Sequence, residues 1–207
     1  MASTKEQTMV ESTPTADTAG NDLSKVNIPI GGALAFAPYD TANVIADADL
    51  GATPLKLPAA YKTLGLMKKD GAPQTSIDQE DATEFWQKGY EKPGDATRTV
   101  EVTAAEDNPA VLQLTEGKTP DSNGIIYVDS SLPAARIMLS ELVKYRDGGV
   151  ERRRNGVAQV TKVEPGQDSR GETPGVKITL KWQEDPLFKG SPYKQFGPAV
   201  PKAATHV

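Results

Sequence analysis

The chain has 207 residues, with 23 Lys plus Arg against 28 Asp plus Glu and a net charge of −5. That length suits one generous domain or two small ones. The acidic balance, with a pI near 5.0, argues against a protein that grips nucleic acid by its phosphates, which needs a basic face. Having no cysteine, the chain makes no disulfide, thiol nucleophile or cysteine zinc site.

Residues 1–27, "MASTKEQTMVESTPTADTAGNDLSKVN", carry few large apolar groups. They are expected to be an extended N-terminal arm, too polar to offset their own ordering entropy. They also lack the apolar stretch of a secretory signal, so the chain is expected to be made and kept in a cytoplasm. No apolar run approaches the ~18 residues of a membrane span, so no membrane insertion is expected.

The body, residues 28–184, reads as β-rich. "GALAFAPYD" (Gly32 to Asp40) opens it as a strand of small residues. The polar stretch from Lys68 to Thr97 has turn residues at both ends and is too long for a structureless loop in a compact domain. A protruding hairpin or arm fits it better. Phe85, Trp86 and Tyr90 lie in this polar arm and need either a core in the same chain or a surface on a neighbour. The carboxylates Asp78, Glu80, Asp81 and Glu84 lack the glycine placement and spacing of a calcium loop and are expected on a solvated or inter-subunit face.

"TRTVEVTAAE" (Thr97 to Glu106) alternates with period two, placing Val100 and Val102 inward and Thr99, Glu101 and Thr103 outward. A helix over 107–116 follows, with Asp107 or Asn108 as cap, Pro109 at the first position, Gly117 as the stop, and Val111, Leu112 and Leu114 as its buried side. "GIIYVD" (Gly124 to Asp129) reads as a strand after an Asn123-Gly124 turn.

Ala134 to Arg146 is helix-compatible by propensity, but Asp147-Gly148-Gly149 behind it favours a strand leading into a hairpin. In "ERRRNGVAQVTKV" strand alternation puts Arg152 and Arg154 on one face and Arg153 on the other. Arginines split in this way make a poor phosphate grip and suit carboxylates within or between subunits. Asn155-Gly156 is compatible with a hairpin turn or a bulge. "GVKITLKWQ" (Gly175 to Gln183) is the cleanest half-buried strand, with Val176, Ile178, Leu180 and Trp182 inward. The segment 185–207 interleaves Pro with Phe188, Tyr193 and Phe196 and is expected to be an extended C-terminal arm whose aromatics sit on another surface. Its His206, the only histidine, is expected in solvent rather than in a catalytic or metal shell. No phosphate loop, nucleotide fingerprint, metalloprotease motif or nucleophile elbow occurs, so neither catalysis nor a cofactor is expected.

Taken in this order the chain resembles the major tail proteins, or tail tube proteins, of long-tailed, siphovirus-type bacteriophages. The likeness is carried by Leu64-Gly65 opening "LGLMKKDG", Trp86-Gln87 and Gly89 in the arm, Glu106 ending the strand before the helix, and the run from Arg152 to Val160 before the last strand. It spans about residues 28–197. The resemblance implies a mainly β fold of two packed sheets, a sandwich or barrel with one short flanking α-helix and a long protruding hairpin. It further implies rings of six copies, stacked through the 68–97 arm and the termini into a tube that conducts the genome into the host. Such a subunit assembles in the host cytoplasm, resides in the virion tail, and meets tape measure and terminator proteins. Double-stranded DNA passes through without tight binding. Under this reading Thr99, Glu101 and Thr103 face the channel, and Phe85, Trp86, Tyr90, Arg152, Arg154, Phe188, Tyr193 and Phe196 are candidates for subunit interfaces. The alternatives are a head decoration or tail-terminator protein, and a monomeric β-sandwich binding module.

Overall fold

A computed structural model of the protein describes residues 18–22, 26–146 and 151–197. Most of the expected N-terminal arm, the Asp147-Gly148-Gly149 turn and His206 lie outside the described residues. The chain is mainly β, as expected, and is built of two antiparallel sheets with few helices. The strands are β1 (Pro29–Pro38), β2 (Lys62–Thr63), β3 (Gln74–Gln79), β4 (Thr83–Glu84), β5 (Glu91–Lys92), β6 (Ala96–Ala104), β7 (Ile137–Tyr145), β8 (Arg152–Pro165), β9 (Val176–Gln183) and β10 (Tyr193–Phe196). The helices are a one-turn α1 (Asp47–Leu50) and α2 (Pro109–Glu116). The large sheet runs β2-β1-β7-β8-β9-β6-β3, with β10 pairing the first part of β8, and β4 and β5 form the small one.

Period-two patterning decides the faces. Leu34 and Phe36, Leu139, Ala158 and Val160, Ile178, Leu180 and Trp182, and Val100, Val102 and Ala104 all point to one side and form a single core, which α2 covers with Val111 and Leu114. Asn108 caps α2 by accepting from the Ala110 and Val111 N–H groups, Pro109 stands in the first turn, and Gly117 ends the helix in the left-handed conformation. Of its three expected inward residues, Leu112 is only half-buried.

The sheet is not a closed barrel, yet it curls far. In a flat sheet β1 and β6, four strand spacings apart, would be roughly 19 Å from each other. Instead the Leu64 N–H donates to Leu34 O of β1 at 2.8 Å, and Leu66 O, two residues on, accepts from Ala105 N just past β6, also at 2.8 Å. Two residues of extended chain reach only about 7 Å, so residues 64–66 act as a clasp across the open seam. Gly65 makes this possible: its φ is +86°, and a β-carbon there would lie 2.3 Å from the Glu106 carboxylate. That carboxylate accepts from Leu66 N at 2.7 Å and from the Asn108 amide at 3.1 Å. These two donors, the Leu66 N–H above all, hold Glu106 below the usual carboxylate range. Leu64-Gly65 and Glu106, distant in sequence, are therefore two halves of one latch.

Three expectations need correction. Residues 125–129 form no strand: Asp121 closes the Asn123-Gly124 turn by accepting from Asn123 N and Ile125 N, but 125–129 pair with no strand among the described residues, and Ile125, Tyr127 and Val128 stay exposed. Asn155-Gly156 is neither turn nor bulge. It lies in the unbroken β7–β8 register, and the only shift in β8 falls between Val160 and Lys162 against β9. Finally, residues 185–197 are not a free arm. Asp185 caps a 3-10 turn over Pro186–Phe188, and Tyr193–Phe196 enters the main sheet as β10. The proline-rich stretch reaches a strand because its prolines precede β10, whose own four residues contain none. Ala134 to Arg146, by contrast, holds the expected strand, β7.

Candidate assembly interface

The arm is a hairpin. β3 pairs β6 from Gln74↔Glu101 to Gln79↔Ala96, and β4 with β5 continues it to a tip where Phe85 N donates to Tyr90 O at 3.0 Å. Gly89, at φ +89°, makes the turn. Where the two ladders meet, the strands approach so closely that a β-carbon on Gly94 would lie 2.4 Å from Glu80 O. The tip aromatics are all exposed, Phe85 at 52%, Tyr90 at 69% and Trp86 at 98%. Among the described residues none of the three belongs to a core.

Thr99, Glu101 and Thr103 lie on the face of β6 opposite Val100 and Val102, as the alternation requires. Thr99 shares a hydrogen bond with Ser76 at 2.7 Å, Glu101 pairs with Lys177 at 2.9 Å, and Thr103 packs under Gly71. The register extends this polar face to Asp78 on β3, Lys177 and Lys181 on β9, and Lys162 and Glu164 on β8. Three carboxylates and three lysines share it, so the face is polar and charge-balanced.

The arginines follow their alternation. Arg152 and Arg154 converge on one carboxylate, Glu141, at 2.9 and 3.2 Å, and Glu141 is fully buried. Arg154 also donates to Gln195 and Thr75 and lies over the Tyr193 ring. Their carboxylate therefore comes from within the chain rather than across an interface. Arg153, on the other face, donates to Leu50 O, Ala52 O and Glu151 and holds the 50–52 loop against the sheet. The sequence signal for Glu141 was available: in "IMLSELVKY" it is the lone charge on the face of Ile137, Leu139 and Val143, and a buried charge needs a partner on the adjoining strand.

The three C-terminal aromatics serve their own chain, not another surface. Phe188 is buried with Ala37, Met138 and Val157 in a second, smaller core. Tyr193 packs on Trp182 with ring centroids 4.9 Å apart, and Phe196 lies beneath Arg153. They fold back because β10 finds an open edge on β8, and Gly156 lets it approach: a β-carbon there would sit 2.2 Å from Pro192 O.

Two polar centres escaped sequence reasoning. Asn155, fully buried, donates to Tyr61 Oη and Leu139 O and accepts from Ile45 N, tying the 41–63 segment to the sheet. Burial pushes the Tyr61 phenol up to about 12, against a smaller downward pull from the Asn155 amide. Asp185 accepts from Leu187 N and Tyr39 Oη and pairs with Arg136. Burial alone would raise its pKa, but these partners together lower it. Among the described residues no cluster of three or more His, Cys, Asp or Glu side chains suits a metal ion, and no helix is long and apolar enough to cross a membrane. Compared with protein-family models and with curated protein sequences, the chain matches none.

Proposed function

We propose that this protein is a structural, non-catalytic subunit that self-assembles into the tail tube of a long-tailed bacteriophage, as stacked rings around a channel that carries the genome. The observation that carries the reading is the hairpin from Gln74 to Ala104, whose tip holds Phe85, Trp86 and Tyr90 away from any core of its own chain. Burying one large apolar side chain contributes about 2–3 kcal/mol, so a solvated aromatic tip favours a partner surface.

Two further features support it. The polar face of β3, β6, β9 and β8 carries balanced charge, the character a channel wall needs if DNA is to slide without phosphate contacts that add affinity. The outer edge of β3 and most of the outer edge of β1 pair with no strand in the chain among the described residues, and closure of a ring removes such edges.

Negative-stain images of the purified full-length chain provide the test. Long tubes of uniform width are expected. Single rings would replace the reading with a terminator, and monomers at high concentration would replace it with a binding module.

A further inference from the structure

Two mostly apolar grooves flank α2. One, about 380 Å³, lies between α2 and the ends of β8 and β9, and is lined by Val111, Leu112, Val163 and Val176 with the carboxylates Asp107 and Glu116. The other, about 290 Å³, lies between the C-terminal half of α2 and the end of β1, with Phe36, Leu114, Pro133 and Ile137 joined by Lys62 and Arg136. They differ in the sign of their charge.

We infer that the second groove receives the aromatic hairpin tip of another copy of this chain, with Trp86 as the inserted side chain. The inference rests on the tail-tube reading and adds to it the surface where one ring grips the next.

Charge selects the groove. Around the tip stand Glu80, Asp81, Glu84, Glu91 and Asp95 against Lys88 and Lys92, five carboxylates to two lysines, a net −3. The first groove adds two more carboxylates and repels such a tip. In the second, Lys62 meets only a neutral partner among the described residues, the Gln113 amide oxygen, at 2.6 Å. Arg136 is paired with Asp185 and lies over the Tyr39 ring, but its side chain remains 38% exposed. That exposed part is open to a tip carboxylate such as Glu84. Complementary charge of this kind fixes the register of an interface and rejects the wrong site.

Direction agrees. Successive antiparallel pairings make β1 and β6 run the same way. The hairpin leaves the N-terminal end of β6, whereas the groove sits at the C-terminal end of β1. Tip and groove thus occupy opposite ends of the sheet, a head-to-tail arrangement that propagates as a stack rather than closing as a dimer. The groove is near the lower size of sites that enclose a ligand, which suits one aromatic side chain and not a whole strand.

The cysteine-free chain permits a direct test. Full-length Gln87→Cys with Ala135→Cys, and Gln87→Cys with Pro120→Cys, place one thiol at the tip and one at the second or first groove respectively. After treatment with a short bis-maleimide, the Ala135 pair is expected to give a ladder of covalent multimers and the Pro120 pair several-fold less. Lys62→Glu is expected to weaken assembly several-fold, and adding Glu84→Lys to restore it. Tubes that form without the Ala135 ladder, or with an equal Pro120 ladder, overturn the groove assignment and leave the tail-tube reading standing. A chain that stays monomeric at all concentrations overturns both.

Discussion

Glu141 shows how much one side chain can carry. It is fully buried, and its two oxygens accept from Arg152 and Arg154. Removing one partner from a buried ion cluster strands the others, at about 3–5 kcal/mol. An exposed pair such as Lys162–Glu164 contributes about 0–1 kcal/mol. Glu141→Ala is therefore expected to lower the unfolding free energy by about 3–5 kcal/mol in urea titrations, and Lys162→Ala by less than 1. Equal losses would mean that the arginines find other acceptors. Tyr61 gives a second measurement. Its phenol is held neutral up to about pH 12 in the folded protein but titrates near 10 when unfolded. Its contribution is thus fully present below about pH 10 and is lost as pH rises toward 12. The Tyr39 phenol is raised too, by burial and by its hydrogen bond to Asp185, so the late phenolate component on alkaline titration is expected to shrink, not vanish, in Tyr61→Phe.

At the level of elements, β8 decides the architecture. Its first part pairs with β7 and β10 and its second with β9, through one bulge at Thr161. Gly156 admits β10 at 2.2 Å from where its β-carbon would stand. Gly156→Ala must push the Pro192 backbone away, at about 1–3 kcal/mol, and is expected to expose Tyr193 and increase protease cleavage between β9 and β10. Unchanged stability would mean that β10 is held from elsewhere. The regular strands and α2 were legible in the sequence because local rules suffice for them: alternation wrote β6 and β9, and Asn108-Pro109 with Gly117 wrote the helix. What was not legible depended on partners far along the chain. "GIIYVD" has strand composition but pairs with no strand among the described residues, whereas Tyr193–Phe196, set behind prolines, has an edge supplied by a glycine 37 positions earlier. The arginines' faces could be read from alternation alone, but the choice between a partner within the chain and one across an interface needed the β7–β8 register.

At the scale of the whole molecule, stability and assembly are separable, because the arm adds nothing to the cores. No residue from 80 to 95 belongs to either hydrophobic cluster, and all are exposed but Gly94. The remaining hairpin is also already in register for a short turn, since Gln79 and Ala96 are direct partners. Replacing residues 80–95 with Asn-Gly, the sequence preferred by a two-residue hairpin, leaves β3–β6 pairing and both cores intact. The expected unfolding free energy differs from that of the full chain by less than about 0.5 kcal/mol, as for surface changes elsewhere. Assembly into the proposed tube should respond oppositely: without Phe85, Trp86 and Tyr90 its rings would lose their axial contact, and sedimentation should find rings or monomers where the full chain is expected to form tubes. A shortened chain that unfolds easily would make the arm part of the fold, and one that still forms tubes would move the axial contact to another surface. A stable chain that stops at rings would assign the two jobs to two parts of one sheet, the curled core for folding and the projecting hairpin for assembly.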